Sequence, residues 1–151
     1  MTKIDFIKLK KPEKAIHLCR LATECLSAGH RVLVMVQDEN QAVTLDRFMW
    51  TWKKDTFLPH AYDNGSVECL DEPVVIVCSE RNPNGARILV MGSPCSVDFL
   101  RQFHQAIDFA ELYDDALAQA ARDRYARYRE VGFVTGMRSV ADGANPKADR
   151  Q

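Results

Sequence analysis

The sequence predicts an α/β fold of three layers, in which a largely parallel central sheet carries helices on both faces. The fold would be Rossmann-like but without a nucleotide-binding glycine loop. Two observations favour it. Short apolar runs alternate with segments whose apolar residues recur every three or four positions, which is the pattern of β–α–β units. The runs at residues 31–36 and 73–78 are almost purely apolar, as expected of strands that are covered on both faces.

The first half of the chain is predicted to form strand, helix, strand and helix. Residues 4–9 alternate well enough for a first strand. A helix is expected to begin at Pro12 and to end at Gly29, because glycine favours helix C-termini. After the strand at residues 31–36, Asp38 is in a position to cap a second helix. The inner face of that helix is predicted to be Ala42, Leu45, Phe48 and Met49.

The middle of the chain is predicted to be a loop followed by strands. Residues 50–65 are rich in aromatic and turn-forming residues and are expected to form the loop. Strands at 73–78 and 87–91 are separated by the turn signal NPNG. A short helix at 97–105 then precedes a last strand at 106–110.

A long helix at residues 114–131 is the most clearly predicted element. Acids lie in its first turn, arginines lie in its last turns, and Gly132 follows its end, all as the helix dipole and helix capping favour. Its inward stripe is predicted to be Leu117, Ala121, Tyr125 and Tyr128. One domain is expected over residues 1–138. The polar segment 139–151 is expected to be a disordered tail.

Composition limits the class of protein. The chain has 151 residues, a net charge of −1 and a pI of about 6.4, which argues against a surface built throughout to neutralise phosphate. The five cysteines are odd in number and have no C-x-x-C spacing, so we expect buried free thiols. The N-terminal segment has no signal-peptide core, and no apolar stretch approaches the roughly 20 residues of a membrane span. We therefore expect a soluble, cytoplasmic protein.

No convincing catalytic centre can be assembled from the sequence. The chain has neither the G-x-x-x-x-G-K-[ST] nor the G-x-G-x-x-G pattern that cradles phosphates, and its four histidines lack metal-binding spacing. We expect no cofactor, no metal and no activity of the chain by itself. The alternative is an enzyme acting on nucleotides or nucleic acid, in which Asp38 and Glu39 hold magnesium. We favour Asp38 as a helix cap and Glu39 as a first-turn acid.

An aromatic cluster is the first surface candidate. Phe48, Trp50, Trp52 and Phe57 lie within ten residues, and Pro59 follows. Tryptophan and phenylalanine are favoured anchors of protein interfaces. The alternative is that these side chains cover the core.

An arginine stripe on the long helix is the second candidate. Arg122, Tyr125 and Arg129 have the spacing i, i+3 and i+7, and Arg124 and Arg127 flank them. Guanidinium groups beside an aromatic ring suit a carboxylate that adjoins an apolar side chain. The alternative is a solvated face on which Asp123 and Glu130 pair with these arginines.

Two long stretches of the chain match the pattern of one known family. The first consists of GHRVLV at 29–34, DENQA at 38–42, LD at 45–46, Trp50 and FLPH at 57–60. The second consists of DAL at 115–117, ARDRY at 121–125, YR at 128–129 and GF at 132–133. The strand that ends at Leu9 and the IDF sequence at 107–109 also fit. Over roughly residues 1–133, the chain thus resembles the chi subunit family of bacterial DNA polymerase III holoenzyme.

The resemblance implies an accessory subunit of the clamp-loader assembly, a component of a DNA polymerase holoenzyme with no polymerase activity of its own. Members of the family bind the psi subunit and the acidic C-terminal tail of single-stranded-DNA-binding protein. By matching positions, Trp50, Phe57 and Pro59 fall in the psi-binding region. Arg122, Tyr125 and Arg129 fall in the tail-binding region. We expect a monomer or a heterodimer with psi that contacts DNA only indirectly and does not bind membranes.

Two positions depart from the family pattern. Ala118 and Ala126 stand where family members can carry lysine, so the tail site of this chain is expected to be less basic. A direct binder of single-stranded DNA is a further alternative, which the charge balance disfavours.

Overall fold

Strands and helices alternate along the chain, as predicted for β–α–β units. The computed structural model describes residues 2–52, 58–65, 69 and 71–139. The elements are, in chain order, β1 (Lys3–Leu9), α1 (Lys14–Ser27), β2 (Val32–Met35), α2 (Glu39–Thr51), β3 (Ala61–Tyr62), β4 (Val74–Val77), β5 (Ile88–Met91), α3 (Val97–Leu100), β6 (Gln105–Glu111), α4 (Asp115–Glu130) and β7 (Val134–Ser139). Among these residues, no helix is both long and apolar enough to cross a membrane.

The described strands form one sheet in the order β3-β4-β2-β5-β6-β1-β7, and every pairing in it is parallel. Every residue of β2, β4 and β5 is buried, which explains why these strands are apolar throughout. The predicted three-layer α/β fold is confirmed.

The sheet separates two hydrophobic cores. Along β1, Ile7 and Leu9 face the core covered by α1 and α2, whereas Ile4 and Phe6 face the core covered by α3 and α4. This alternation follows from the twofold period of strand side chains. The two large faces of the sheet are therefore occupied by different pairs of helices.

Helix ends lie where their capping residues predicted them. The carboxylate of Asp38 accepts a hydrogen bond from the amide of Gln41 at 2.9 Å, and Asp114 caps α4 in the same way. Gly29 follows α1 with φ of +84°, and Gly132 follows α4 with φ of +95°. Both glycines adopt the left-handed conformation that ends helices at low cost.

The last strand was missed by the sequence prediction, which ended the sheet at residue 110. β7 pairs only with β1, so it is an edge strand, and edge strands carry a weak apolar pattern. It also contains Gly136, which is unfavourable in strands. A Cβ at this position would lie 2.8 Å from Oδ1 of Asp5, so a larger residue would require the Asp5 side chain to move.

Other boundaries differ from the predictions. The short helix ends at Leu100 rather than 105, and the predicted loop 50–65 contains the end of α2 and the two residues of β3. On α4, Ala121, Tyr125 and Tyr128 face the core as predicted. Leu117 is exposed, and Ala118 is buried in its place. Apart from Ser139, the predicted tail 139–151 lies outside the described residues. The division at residue 138 stays a prediction.

Candidate functional site

A small apolar pocket lies between α4 and the sheet. Its volume is about 140 Å³. The residues that line it are Lys8, Ala110, Leu112, Ala118, Ala121, Arg122, Tyr125 and Met137. They come from β1, α4 and β7 and from the end of β6, so the pocket forms only when the fold brings these elements together. An apolar cavity of about 150 Å³ binds benzene, so the pocket is of a size to take one aromatic ring.

Arg122 and Tyr125 border this pocket, as their helical spacing would allow. Tyr125 is half-buried, and its ring packs edge-on against Phe6 at 5.5 Å between centroids. Arg122 is exposed and donates hydrogen bonds from Nε and an Nη to Oε1 of Gln119 at 3.3 and 3.0 Å. A carboxylate ligand could take the place of the neutral Gln119 oxygen as the acceptor of these hydrogen bonds. The site thus combines the packed ring of Tyr125 with the exposed guanidinium of Arg122.

Arg129 is not among the residues that line the pocket. It lies seven residues beyond Arg122, which corresponds to about 10 Å along the helix axis. The predicted alternative, in which Asp123 and Glu130 neutralise the stripe, is not seen: among the described residues, neither acid forms a salt bridge with an arginine. Asp123 instead accepts a hydrogen bond from Gln119 at 2.9 Å.

Arg124 points into the protein and holds α4 against the sheet. Its Nε and an Nη donate to the two carboxylate oxygens of Asp108 at 2.9 and 3.1 Å, and the Nη also donates to the carbonyl of Phe109. Asp108 is only 2% exposed and also accepts a bond from the hydroxyl of Tyr128 at 3.3 Å. Burial and the Asp108 charge raise the pKa of Tyr128. The sequence predicts only that Arg124 flanks the arginine stripe. The aspartate within the apolar strand β6 is the signal that could have indicated a buried partner for this arginine.

The aromatic cluster divides into core and surface residues. Phe48 and Trp52 pack against the core, so the alternative interpretation holds for them. Trp50 is 51% exposed on α2. Pro59 is half-buried nearby in sequence, and Phe57 lies outside the described residues.

His60 supports the exposed indole of Trp50. The ring centroids of Trp50 and His60 are 4.3 Å apart. Nδ1 of His60 lies 2.7 Å from the carbonyl of Leu58, and Nε2 lies 3.1 Å from both the carbonyl and Oδ1 of Asp46. These contacts fix the imidazole, which therefore offers the indole a rigid platform.

The acidic residues of the alternative enzyme interpretation have structural roles. The Asp38 carboxylate is used as the cap of α2, and Glu39 lies in the first turn. In the described part of the chain, no group of three or more potential ligands could hold a metal ion.

Comparison with known proteins decides the family. A family model described as "DNA polymerase III chi subunit, HolC" matches residues 1–135. The chain belongs to this family. Chi is an accessory subunit of the polymerase and not its catalytic subunit, as the sequence resemblance implied.

Relatives named DNA polymerase III subunit chi support the assignment. The chain is 35% identical over 117 residues to that of Escherichia coli K12, covering 77% of this chain and 78% of the relative. It is 34% identical over 125 residues to that of Haemophilus influenzae, covering 81% and 84%. It is 28% identical over 136 residues to that of Pseudomonas aeruginosa, covering 88% and 93%.

The chi fold of this chain is also similar to a solved structure outside the family. The structure is that of an S. cerevisiae Dbp5 variant bound to RNA and ADP BeF3, with a TM-score of 0.64 over 93% of this chain and 42% of that one. At 11% identity, this likeness concerns the fold alone.

Proposed function

We propose that this chi-family chain links two other replication proteins in the cytoplasm. Through Trp50, Phe57 and Pro59 it binds the psi subunit, which connects it to the clamp loader. Through Arg122, Tyr125 and Arg129 it binds the acidic C-terminal tail of single-stranded-DNA-binding protein. Membership of a polymerase subunit family supports a place in the replicative complex.

The apolar pocket bordered by Arg122 and Tyr125 is the observation that supports tail binding at this site. A peptide that ends in an aromatic residue preceded by acids has an apolar part that suits the pocket and an anionic part that suits the arginine. The ring would enter the pocket and rest beside Tyr125, while the terminal carboxylate would accept hydrogen bonds from the Arg122 guanidinium. Arg129 lies about two turns further along α4 and would bind acidic side chains that precede the C-terminus of the tail.

Calorimetric titration with a peptide that copies this tail tests the site. Arg122→Ala should weaken binding by about 1.5–3 kcal/mol, the scale of hydrogen bonds to charged groups. Arg122→Lys should recover only part of this loss, because a point charge does not reproduce a bidentate fork. Arg127→Ala is the matched control, since Arg127 is exposed on the same helix but does not border the pocket. Equal affinity of wild type and Arg122→Ala would place the tail elsewhere.

The psi site is supported by the exposed indole of Trp50, which packs against the ring of His60. A contact that restricts an aromatic ring before binding reduces the entropy lost when a partner covers it. Phe57 and Pro59 follow Trp50 in sequence, between α2 and β3. A partner that covers this surface would bury an aromatic anchor of the kind that dominates interface energetics.

Capture of purified psi by immobilised chain tests this second site. Trp50→Ala with Phe57→Ala should abolish capture, because anchors of this type each contribute about 2 kcal/mol or more. Leu117→Ala is the control, since Leu117 is an exposed apolar residue on a different helix. Unfolding curves of all variants are needed. An unfolded double variant would show that the residues belong to the core, and undiminished capture would equally contradict the proposal.

A further inference from the structure

The face of β1 that contacts α4 changes from apolar to cationic at the pocket. Ile4 and Phe6 on this face are fully buried in the core. Lys8, the next residue on the same face, is exposed and lines the pocket beside Arg122 and Tyr125. In the sheet register, Lys8 lies opposite Ala110 of β6, another residue of the pocket wall. An apolar residue would be the expected continuation of this row.

The lining of the pocket carries two cations and no acid. Lys8 and Arg122 are its charged residues, and they come from opposite walls, β1 and α4. Within the part of the chain that the structure describes, no hydrogen bond or ion pair holds the Lys8 ammonium. Lys14, by contrast, is bound to Glu111 at 2.9 Å and to the carbonyl of Gly92. The charge of Lys8 is therefore available to a ligand.

The α4 side of the pocket carries one cation. Ala118, Ala121 and Tyr125 line the pocket beside Arg122 and are uncharged. Ala126 is exposed and does not line the pocket. A cation from β1 would therefore add to the attraction of Arg122 for an acidic ligand.

We propose that Lys8 is a further carboxylate-binding cation of the tail site, the second one at the pocket itself, and contributes to its specificity for acidic peptides. This inference rests on the proposed tail-binding function and adds a residue that the α4 motif does not contain. The ligand is a peptide with an apolar C-terminal residue preceded by acids. Its terminal ring occupies the pocket, and its carboxylates lie between Arg122 on one wall and Lys8 on the other.

Titration of two peptides against five proteins tests the proposal. The peptides are the acidic tail and the same sequence with its acidic side chains replaced by serine. The proteins are wild type, Arg122→Ala, Lys8→Met, Lys8→Glu and the control Lys10→Met. Lys10 is exposed just beyond β1 and does not line the pocket. Lys8→Met keeps the aliphatic stem and removes only the charge.

Lys8→Met should bind the acidic peptide about threefold to fivefold more weakly, as expected for a partly exposed charge pair. Lys8→Glu should weaken it further. Both losses should shrink as the salt concentration rises, because screening acts on exposed charges. The serine peptide should distinguish wild type from Lys8→Met much less than the acidic peptide does. Lys10→Met should bind like wild type.

The outcomes separate the two proposals. If Lys8→Met binds the acidic peptide like wild type while Arg122→Ala does not, the role of Lys8 is refuted and the tail site remains. If neither substitution weakens binding, both are refuted. If Lys10→Met weakens binding as much as Lys8→Met, the effect is one of net charge, and the assignment of Lys8 is overturned. Unfolding curves must show that Lys8→Met is as stable as wild type.

Discussion

Removing the Arg124 guanidinium should destabilise the protein strongly, although α4 is largely a surface helix. In Arg124→Met, the buried Asp108 carboxylate would lose both hydrogen bonds from Arg124 and keep those from the Tyr128 hydroxyl and the Phe109 amide. Removing one partner of a buried ion pair costs about 3–5 kcal/mol. The Arg124 side chain is 21% exposed, so water can reach part of the vacated space, and we expect about 3 kcal/mol.

The assay is urea unfolding followed by circular dichroism, with Arg129→Met as the matched control. Arg129 is exposed on the same helix and forms no salt bridge among the described residues, so its replacement should change the free energy of unfolding by less than about 0.5 kcal/mol. Asp108→Asn combined with Arg124→Met should cost less than the sum of the single changes, because the buried charge is then removed with its partner. A loss below about 1 kcal/mol in Arg124→Met would refute the view that this pair fastens α4 to the sheet.

Three further predictions follow from the geometry. His60→Ala should weaken the binding of psi by about 0.5–1.5 kcal/mol, because the indole of Trp50 loses the aromatic ring against which it packs. Unchanged capture of psi would mean that His60 contributes to folding and not to binding. Ala126→Lys should increase the affinity for the tail peptide by a smaller factor than Lys8→Met decreases it, because position 126 does not line the pocket. Calorimetric titration of the two variants measures both changes. Burial raises the pKa of Cys19 to about 12, so at pH 8 this thiol stays protonated and should react with a disulfide reagent only after unfolding. Cys19→Ala should lower by one the number of thiols that react only after unfolding, and an unchanged number would contradict the prediction.

Features that depend on local chemistry could be predicted from the sequence. Asp38 and Asp114 cap helices, and Gly29 and Gly132 end them, because these roles depend on a residue and its neighbours within one turn. The strands β2, β4 and β5 could be recognised because residues buried on both faces must all be apolar. These elements were enough to predict the three-layer fold.

The inward residue in the first turn of α4 could not be predicted. Positions 117 and 118 both fit a helical stripe through Ala121 and Tyr128, and the sequence favours the larger side chain at 117. The structure buries Ala118 and leaves Leu117 exposed. The same limit applies to the aromatic cluster, in which Trp50 is exposed while its neighbours Phe48 and Trp52 pack on the core.

The pocket itself could not be predicted, because its walls are distant in sequence. Lys8 and Arg122 line one pocket because α4 packs over β1, and Met137 of β7, a strand that the sequence did not predict, lines it as well. Arg122 and Tyr125, which form the helix side of the site, can be recognised in the sequence by their helical spacing. The other side is formed by strands whose order depends on the whole fold.

The two proposed binding surfaces lie far apart, and this separation predicts that their partners bind independently. Trp50 is on α2, which covers one face of the sheet near its edge strand β3, whereas the pocket includes Met137 of β7, the opposite edge strand, and lies on the other face. Six steps of about 4.8 Å separate the edge strands, or roughly 29 Å. The two surfaces share no residue, so we expect the coupling free energy between them to be near zero. The affinity for the tail peptide should therefore be the same for the free chain and for its complex with psi. A change of more than about fivefold, the lower range of typical allosteric coupling, would show that psi touches the pocket or that the sheet transmits its binding.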